Sequence, residues 1–468
     1  MRVFISLAGL VLTATLLPSS VTAQVGHYWT IQFGSRSTLL GGAVVGSKVD
    51  ASANYYNPGA VGLMEDETLL QSTAVYRWES LTVDNNYPEV ETEGYSSIDR
   101  VPNFTGGILE TSFLGAARIG YSIFSRHSFK IDLEMGRKDS LNAVDRFEGK
   151  ELYSAFSSRE LKVNDSWYGF TLSYRIGENI GVGISPFLSV RRLSKFGQTV
   201  SSQAFSDDNA NATSSLFRDY SFTVYSLIFK FGMYYEFSSA SLGFSVTTPG
   251  LRLSGSGSAF ESATALNQDV NGDGSVDTVL ESQVLSGVSA SYPTPLAIAI
   301  GASLNTGSWT WYITSEWYSD ISPFNPFEYE PIFVLSEADV YFADLSIETR
   351  SVVNFAVGIE KRLSETSRIF LSGLTDTSSI PSNEGFSLSV AGWDLFHVTT
   401  GASFNISRLA LTAGVGYVYG TDNSSIPLNF VEPHESNYLR GENVSEKVRY
   451  RGIKFILGIE FGAKPKSE

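Results

Sequence analysis

Hydrophobic and polar residues alternate with a period of two along several segments of the chain. In Ile453–Phe461 every odd position is apolar, and Lys454, Gly458 and Glu460 occupy even positions. In Val353–Glu360 the odd positions are again apolar and the even ones small or polar. A period of two places successive side chains on opposite faces of a β-strand. The pattern therefore predicts strands with one apolar face, and it recurs in Phe129–Met135, Tyr168–Ile176, Ile180–Ile184, Leu296–Leu304, Phe396–Ile406 and Leu409–Tyr419.

Two architectures contain such strands: a soluble sandwich of two sheets, and a transmembrane barrel with lipid outside and a polar lumen. The second face of the predicted strands combines charged residues with many Gly, Ser and Thr. The polar face of a sandwich rarely holds this much glycine, so we predict an all-β fold, a transmembrane antiparallel β-barrel. The charged positions assigned to its lumen are Lys130, Asp132, Glu134, Arg175, Lys230, Glu236, Glu316, Glu360, Lys454 and Glu460.

Short and long connections alternate between the predicted strands. The short ones are predicted turns at Ser125–His127, Gly177–Asn179, Ser238–Ser239, Asn305–Gly307, Ser364–Thr366 and Ser407–Arg408. The long ones are polar links at 84–101, 137–163, 198–217, 261–281, 319–348, 377–390 and 421–447. Short periplasmic turns and long external loops are typical of outer-membrane barrels, whose strand number is even. The alternation therefore predicts about fourteen strands with both termini in the periplasm.

The first residues have the features of an export signal. Arg2 precedes the apolar run Val3–Leu17, and the small residues at Val21–Ala23 suit cleavage before Gln24, which predicts a signal peptide over residues 1–23. No later stretch approaches about 18 consecutive apolar residues, so we expect no membrane-spanning helix. We expect the barrel over residues 65–462 and a periplasmic tail over residues 463–468.

Composition excludes several classes of function. The 468 residues include 33 Lys and Arg against 49 Asp and Glu, a net charge of −16, whereas nucleic-acid-binding proteins have a basic face. The chain contains no Cys, so disulfides and thiolate chemistry are excluded. The four His are scattered, and neither Gly-x-Ser-x-Gly nor His-Glu-x-x-His occurs. We therefore expect no enzyme, no nucleic-acid partner and no required cofactor.

The segment Val49–Ala60 fits neither a helix nor a strand. Pro58 removes a backbone donor and biases Asn57 towards extended geometry, so Asn57-Pro58-Gly59 predicts a turn. An irregular segment needs surrounding structure that satisfies its backbone polar groups. A barrel of the predicted width also needs a plug to prevent leakage. We therefore predict that residues 24–64 form a hatch inside the barrel.

This segment resembles the hatch of the FadL/TodX-type outer-membrane transporters. The resemblance is carried by Gly41-Gly42-Ala43, Asp50-Ala51-Ser52-Ala53 and the run Tyr55 to Leu63, although the family typically has Asn-Pro-Ala where this chain has Asn57-Pro58-Gly59. It implies a channel in the bacterial outer membrane, surrounded by outer-membrane lipid and lipopolysaccharide, for passive uptake of long-chain fatty acids or other hydrophobic molecules. In the family, ligand passes from an external groove to an internal site and leaves sideways through a wall opening near the hatch. We expect the protein to be monomeric.

We predict that Asn57, Pro58 and Gly59 control this passage. The second strand offers an irregular contact at Pro102–Gly107, because Pro102 cannot donate to a ladder and Gly106 and Gly107 permit close backbone approach. Asn57 is expected to satisfy wall backbone groups left unpaired there, and Gly59 to permit a turn that alanine would restrict. The alternative is that the turn only reverses the chain before the first strand.

Two other functions remain open on the sequence alone. One is a barrel that does not transport but acts as a docking or assembly partner for exported proteins through its acidic loops. The other is a porin for hydrophilic solutes.

A loop motif predicts a calcium site. Asp269, Asn271, Asp273 and Asp277 place oxygen donors at the first, third, fifth and ninth positions of a loop, with Gly274 at the sixth. Ser275 offers a backbone carbonyl at the seventh position, as in an EF-hand loop. The Glu of the twelfth position is absent because Leu280 stands there, so we expect weak affinity, about 10⁻⁴–10⁻³ M.

The link at 319–348 is unusually apolar for a solvated loop. It contains the aromatic residues Phe324, Phe327, Tyr329 and Phe333. Exposed apolar patches often mark binding sites, so these residues are candidates for ligand capture. Packing against the barrel rim is the alternative.

Overall fold

The computed structural model describes residues 26–64, 68–84, 86–110, 115–270, 273–328, 347–381 and 392–462. The predicted signal peptide and periplasmic tail lie outside these ranges. The helices are α1 (Ser35–Leu39), α2 (Ala53–Tyr56) and α3 (Pro58–Val61). The strands are β1 (Thr68–Asp84), β2 (Val90–Glu93), β3 (Tyr95–Glu110), β4 (Ala117–Leu141), β5 (Glu151–Ile176), β6 (Ile180–Phe205), β7 (Asn211–Glu236), β8 (Ala240–Thr247), β9 (Leu251–Gln268), β10 (Asp277–Ala290), β11 (Ala297–Asn305), β12 (Trp309–Tyr318), β13 (Ile321–Phe324), β14 (Phe327–Glu328), β15 (Ile347–Thr349), β16 (Val352–Arg362), β17 (Ser367–Asp376), β18 (Leu395–Ile406), β19 (Leu409–Val431) and β20 (Glu442–Gly462).

A closed antiparallel barrel of 14 strands forms the wall. Its order is β1, β3, β4, β5, β6, β7, β8, β11, β12, β16, β17, β18, β19 and β20. β20 returns to β1 in a ladder that runs from Thr68 opposite Gly462 to Asp84 opposite Lys447. The even strand number and the antiparallel arrangement predicted from the connections are confirmed.

The two faces of the wall differ as the alternation predicts. On β5, Phe170 is 71% exposed and Leu172 is 50% exposed, while Trp167 and Thr171 face inward and are buried. An outward apolar band of this kind is the surface that a transmembrane barrel presents to lipid. Among the described residues, no helix is long and apolar enough to cross a membrane.

The strands β4 to β7 extend well beyond the apolar band, which corrects several predicted connections. The predicted loop 137–163 consists mainly of β4 and β5, and 198–217 mainly of β6 and β7. Their outer faces are mostly polar there, with Leu152, Phe156, Phe205 and Phe217 as exposed exceptions, so the apolar alternation weakens although the ladder continues. The predicted turn at Ser125–His127 is wrong as well, because β4 continues through a bulge between Ser125 and His127.

β8 and β11 pair with each other over Ala240–Thr247, and the hairpin of β9 and β10, which lies between them in the chain, extends the wall beyond their ends. β7 pairs with β8 through Lys230–Glu236 but with β9 through Thr213–Leu227. β9 and β10 pair with each other, so the predicted loop 261–281 is largely this hairpin. The wall is therefore discontinuous where β8 gives way to β9 and β10 to β11.

A second discontinuity separates β3 from β4. β3 pairs with β1 from Tyr95 onward but with β4 only from Phe104 to Glu110. Within the described residues, no ladder joins 95–103 to 125–133, and β2 reaches β4 only at residues 134–137. We call this opening the wall gap. We call the end of the barrel with the long connections the loop end and the opposite end the turn end. Ile98, which is 75% exposed, lies beside the wall gap, opposite Trp78. The gap therefore lies at the edge of the apolar band that is nearer the loop end.

Candidate functional site in the barrel lumen

One carboxylate organises the hatch, which the structure describes over residues 26–64. Asp50 is buried and accepts hydrogen bonds from the backbone N–H groups of Arg36 (2.9 Å), Ser37 (3.0 Å) and Ser52 (3.0 Å). The hydroxyls of Ser37 and Ser52 donate to it as well, over 2.9 and 2.6 Å. Carboxylate bonds to the first N–H groups of a helix satisfy donors that have no intrahelical partner. Asp50 thereby holds the start of α1 against the turn that precedes α2.

The Asn57-Pro58-Gly59 segment is the start of α3. Asn57 is extended, at φ −154° and ψ 95°, and its side chain accepts a hydrogen bond from the Gly59 N–H over 3.1 Å. Pro58 occupies the first helical position, where its missing N–H leaves no bond unmade. The Asn57 amide donates to the carbonyls of Val45 (2.8 Å) and Met233 (3.0 Å). Asn57 therefore joins two parts of the hatch to β7 of the wall.

Glycines on the wall allow this segment to pack closely against it. A Cβ at Gly59 would lie 2.7 Å from the Gly181 carbonyl oxygen and 2.8 Å from that of Gly232. A Cβ at Gly232 would lie 2.7 Å from the Cδ of Pro58, and one at Gly243 would lie 2.7 Å from the amide nitrogen of Asn57. Gly59 has a helical backbone, so the expectation that it serves a special turn is wrong. It is needed for close backbone contact, and the same need explains the wall glycines that face the hatch, Gly181, Gly183, Gly232, Gly243 and Gly301.

The contact with β3 is made by a different asparagine from the one expected. Asn54 donates to the carbonyls of Gly107 (3.1 Å) and Tyr121 (3.2 Å), whereas Asn57 contacts β7 on another side of the barrel. Gly106 and Gly107 lie in paired strand. The bulge of β3 lies between Pro102 and Phe104, where Ala74 and Thr73 of β1 are their partners.

Residues 26–30, which we call the crossing segment, run across the lumen and are tied to several strands. The Asp376 carboxylate accepts from the N–H groups of Tyr28 (3.1 Å) and Trp29 (2.8 Å) and from the Thr30 hydroxyl (2.9 Å). The Lys454 ammonium donates to the Thr30 carbonyl over 2.7 Å. The Trp29 indole N–H donates to Glu316 over 2.7 Å, and Arg126 donates to the Tyr28 carbonyl. The main chain and side chains of this segment thus satisfy buried charges of β4, β12, β17 and β20.

These charges belong to a buried collar around the lumen. Lys230 lies 3.6 Å from Glu316, and Arg191 lies 3.7 Å from Asp165. Burying an ion pair costs free energy unless further hydrogen bonds complete it, which is what the crossing segment supplies. The predicted lumen positions Lys230, Glu316 and Lys454 are therefore inward. Lys130, Asp132 and Glu134 instead face outward beyond the apolar band, because β4 extends past it, and Arg175 is exposed at a turn.

Aromatic residues pack the hatch against the wall beside the collar. The Tyr55 ring lies 4.8 Å from that of Phe33 and 4.9 Å from that of Phe124. The Phe33 N–H donates to the Tyr56 hydroxyl over 3.0 Å. Burial raises the pKa of Tyr56 well above its ordinary value, so this hydroxyl stays protonated and neutral. The hatch is fixed by packing and by neutral hydrogen bonds on this side.

An apolar ring lines the lumen between the collar and the loop end. Among the described residues, its members are buried side chains from eight of the fourteen wall strands, β1, β4 to β7 and β18 to β20, with further members from β9, β10 and β14. They include Leu81, Ile131, Leu133, Leu161, Val163, Leu193, Phe196, Tyr220, Phe222, Val224, Leu395, Val418 and Val448. A uniformly polar lumen, as predicted, is therefore wrong. Sequence reasoning missed the ring partly because it assigned Lys130, Asp132 and Glu134 to the lumen, which put Ile131 and Leu133 on the outer face. Leu161 and Val163 fell within the predicted loop 137–163.

A short segment covers the lumen at the loop end. Residues 430–441, which comprise the end of β19 and the link to β20, pack on the inner faces of β4 to β7. Tyr153 donates to the Leu439 carbonyl over 2.7 Å, and Arg137 donates to that of Phe430 over 2.6 Å. Glu435 accepts from the N–H groups of Asp145 (3.2 Å) and Asp269 (3.0 Å). This contact links the segment to two neighbouring loops.

The aromatic residues proposed for ligand capture divide between two positions. Phe327 is 3% exposed and lies 6.1 Å from the rings of Tyr220 and Phe222. It therefore belongs to the apolar ring and not to an exposed outer groove. Phe324 lies 5.4 Å from the ring of Tyr292. Tyr329 and Phe333 lie outside the described residues.

The acidic residues of the predicted calcium loop accept hydrogen bonds from their own loop. Asp269 accepts from the N–H groups of Asp273 (3.1 Å) and Gly274 (2.7 Å), and Asp277 accepts from Val270 (2.9 Å). Asp273 accepts from the Ser275 N–H over 2.8 Å. Within the described ranges, no three His, Asp or Glu side chains are grouped to hold a metal. Asn271 lies outside those ranges, and calcium binding stays a prediction.

Solved structures of channels for hydrophobic compounds have the same fold. No known protein family matches the sequence, and no curated protein does. A FadL homologue from Pseudomonas aeruginosa superposes with a TM-score of 0.59 at 13% identity over 93% of this chain and 99% of that one. The monoaromatic hydrocarbon channel CymD gives 0.54 at 10% identity over 93% and 99%. The toluene transporter TbuX from Ralstonia pickettii gives 0.52 at 12% identity over 92% and 98%.

The likeness covers the barrel and the hatch together, since almost the whole of each chain is matched. At these identities it shows the fold and carries no residue roles from one protein to another. The resemblance first seen in the segment around Asn57 is thus confirmed on independent grounds, and the chain has the hatch-containing barrel fold of the FadL/TodX-type channels.

Proposed function

We propose that the protein is a bacterial outer-membrane channel for passive uptake of long-chain fatty acids or other hydrophobic small molecules. The turn end of the barrel would then face the periplasm and the loop end the exterior. The neighbours in fold are described as channels or transporters of hydrophobic compounds. The outward apolar band suits a membrane location.

The apolar ring is the observation that carries the proposal. A channel for sugars or ions needs polar walls along its whole length, whereas the lumen here carries buried apolar side chains from eight of the wall strands above the collar. Apolar walls lower the free energy of a hydrocarbon chain relative to water, by ~25 cal/mol per Å² of buried apolar surface. A hydrophobic molecule is therefore the solute that this belt favours.

We also propose a route by which ligand passes the collar. Below the apolar ring, the crossing segment and hatch block a straight path to the turn end. The wall gap between β3 and β4 opens beside this block, at the loop end of the apolar band. Hydrophobic ligand would leave sideways through the gap into the membrane when the hatch shifts. Asn57, Pro58 and Gly59 would control that shift, because they fix the hatch to β7.

Transport into liposomes tests the proposal and separates it from its two rivals. Purified barrel is reconstituted, and entry of a labelled long-chain fatty acid and of a labelled disaccharide is followed in the same preparation. We expect the fatty acid to be taken up faster than in protein-free liposomes and the sugar to be excluded. Entry of the sugar would favour the porin, and entry of neither would favour a docking protein. Heat-modifiable gel mobility confirms that the barrel is folded in each case.

A further inference from the structure

Lysines stand side by side across three neighbouring strands on the outer face of the barrel. Lys130 of β4 lies opposite Lys162 of β5, and Lys162 lies opposite Lys195 of β6. Adjacent strands are ~4.8 Å apart, so these side chains form one row. We call it the lysine row. Like charges directly opposite one another destabilise a sheet, and the ion pair of Lys195 with Glu160 offsets part of that repulsion.

The row lies just beyond the apolar band. On the outer face of β5, Tyr168 is 45% exposed and ends the band, and Ser166, Asn164 and Lys162 follow as the next outward positions. At ~3.3 Å per residue, Lys162 is about 20 Å along a tilted strand from Tyr168. Arg192 of β6 is also exposed and lies opposite Asn164, between the row and the band. Because the apolar band of a transmembrane barrel faces the acyl chains, these cations lie outside that region, on the side of the polar headgroups.

Acidic side chains stand on the far side of the row. Asp132 lies opposite Glu160 one outward position further from the band, and Glu160 contacts Lys195 over 2.7 Å. The order outward from the band is therefore Arg192, the lysine row and then the acidic pair. An anionic group anchored in the membrane meets cations first, whereas an anionic protein approaching from solution would meet the carboxylates first.

We propose that the lysine row and Arg192 bind the phosphate groups of the phosphorylated glycolipid of the outer leaflet, that is lipopolysaccharide. Lysine binds phosphate as a point charge, and each Lys or Arg adds to attraction at an anionic membrane surface. The inference rests on the proposed outer-membrane location but not on transport. The bound glycolipid would hold β4 to β6 at the side of the wall gap.

Binding of purified lipopolysaccharide to the detergent-solubilised full chain tests the inference. The variant Lys130→Gln/Lys162→Gln/Lys195→Gln removes the row. The control Lys138→Gln/Lys150→Gln/Arg408→Gln removes the same charge from exposed positions elsewhere on the chain. Dissociation constants are measured for each protein with lipopolysaccharide and with the same glycolipid after enzymatic removal of its phosphates.

We expect the row variant to bind at least about tenfold more weakly than wild type and the control, in line with attraction shared among several cations. Removal of phosphate should weaken binding to wild type by a similar factor and hardly change binding to the row variant. Equal binding by wild type and row variant, equal losses in row variant and control, or indifference to phosphate would each overturn the inference. Fatty-acid uptake by the row variant is measured in parallel, so a failure of transport is distinguished from a failure of glycolipid binding.

Discussion

Glycine on the inner face of the wall decides how closely the hatch can approach it. Gly232 and Gly243 face the Asn57-Pro58-Gly59 segment, and Gly301 faces the backbone of Gly46. At each contact, two backbones meet where a side chain would separate them. The glycine content of the predicted inner face was visible in the sequence. Its partner was not, because spacing along a strand carries no information about what packs against it.

We predict that Gly232→Ala displaces the hatch. The added Cβ would meet Pro58 at 2.7 Å and the Gly59 nitrogen at 2.8 Å, and overpacking of this kind typically costs ~1–3 kcal/mol. Small-ion conductance in planar bilayers should therefore rise relative to wild type.

Gly373→Ala is the matched control for this change. Its Cβ would lie 3.8 Å from the nearest atom, the His397 carbonyl oxygen, so conductance should stay at the wild-type level. Equal conductance for Gly232→Ala and wild type, with both barrels folded, would show that close contact at this glycine does not hold the hatch.

At the scale of elements, the crossing segment has no regular secondary structure, and hydrogen bonds to Asp376 hold it in place. The carboxylate accepts hydrogen bonds from three consecutive residues, Tyr28, Trp29 and Thr30. Hydrogen bonds to a charged group contribute ~1.5–3 kcal/mol each. Asp376→Ala should free this segment while the barrel stays closed, and the amides of Tyr28 and Trp29 should exchange with deuterium at least about tenfold faster.

Asp208→Ala removes an exposed carboxylate from the loop between β6 and β7 and serves as the control for that experiment. Its exchange pattern at Tyr28 and Trp29 should match wild type. Slow exchange at these amides in Asp376→Ala would mean that Lys454, Glu316 and Arg126 suffice to hold the crossing segment.

The loop between β9 and β10 is an element whose ligand is still a prediction. If Asp269, Asn271, Asp273, Ser275 and Asp277 bind calcium, the cation must replace hydrogen bonds that the loop now makes to its own carboxylates. Calorimetry at millimolar calcium should then give binding heat for wild type and none for Asp273→Ala. Equal heats from the two proteins would exclude the site.

For the whole molecule, the sequence was most informative where each strand has lipid on one side and lumen on the other. Val353–Glu360 was predicted within two residues of β16, and Ile453–Phe461 matches the last part of β20 (Glu442–Gly462), because the apolar outer face imposes a clear period. Beyond the band, β4 to β7 have solvent outside and the apolar ring inside, and their sequences were taken for loops. The hatch motif was visible, but its seat on β7 was not, since Met233 and Asn57 are distant in sequence.

The orientation of the whole barrel is predicted by the proposed function. Cysteines at Asn209 and Ser275, in connections at the loop end, should react with an impermeant thiol reagent on intact cells. Cysteines at Asn179 and Asn305, at the turn end, should react only after the outer membrane is opened. The opposite pattern would mean that the barrel is inverted.

A reversible lock on the hatch tests the central claim, that hydrophobic molecules pass only when the hatch moves. The hydroxyls of Ser35 in α1 and Thr73 in β1 are 3.1 Å apart, and Thr73 lies opposite Phe104 at the foot of the wall gap. The chain has no Cys of its own, so Ser35→Cys/Thr73→Cys would introduce one defined disulfide between hatch and wall.

The measurement is fatty-acid uptake by proteoliposomes that contain this variant, oxidised and then reduced, with Ser35→Cys alone as the control. We predict that uptake falls towards the protein-free level when the disulfide forms and returns when it is reduced, while the control is unaffected by either treatment. Unchanged uptake by a fully cross-linked, folded barrel would contradict hatch-gated passage.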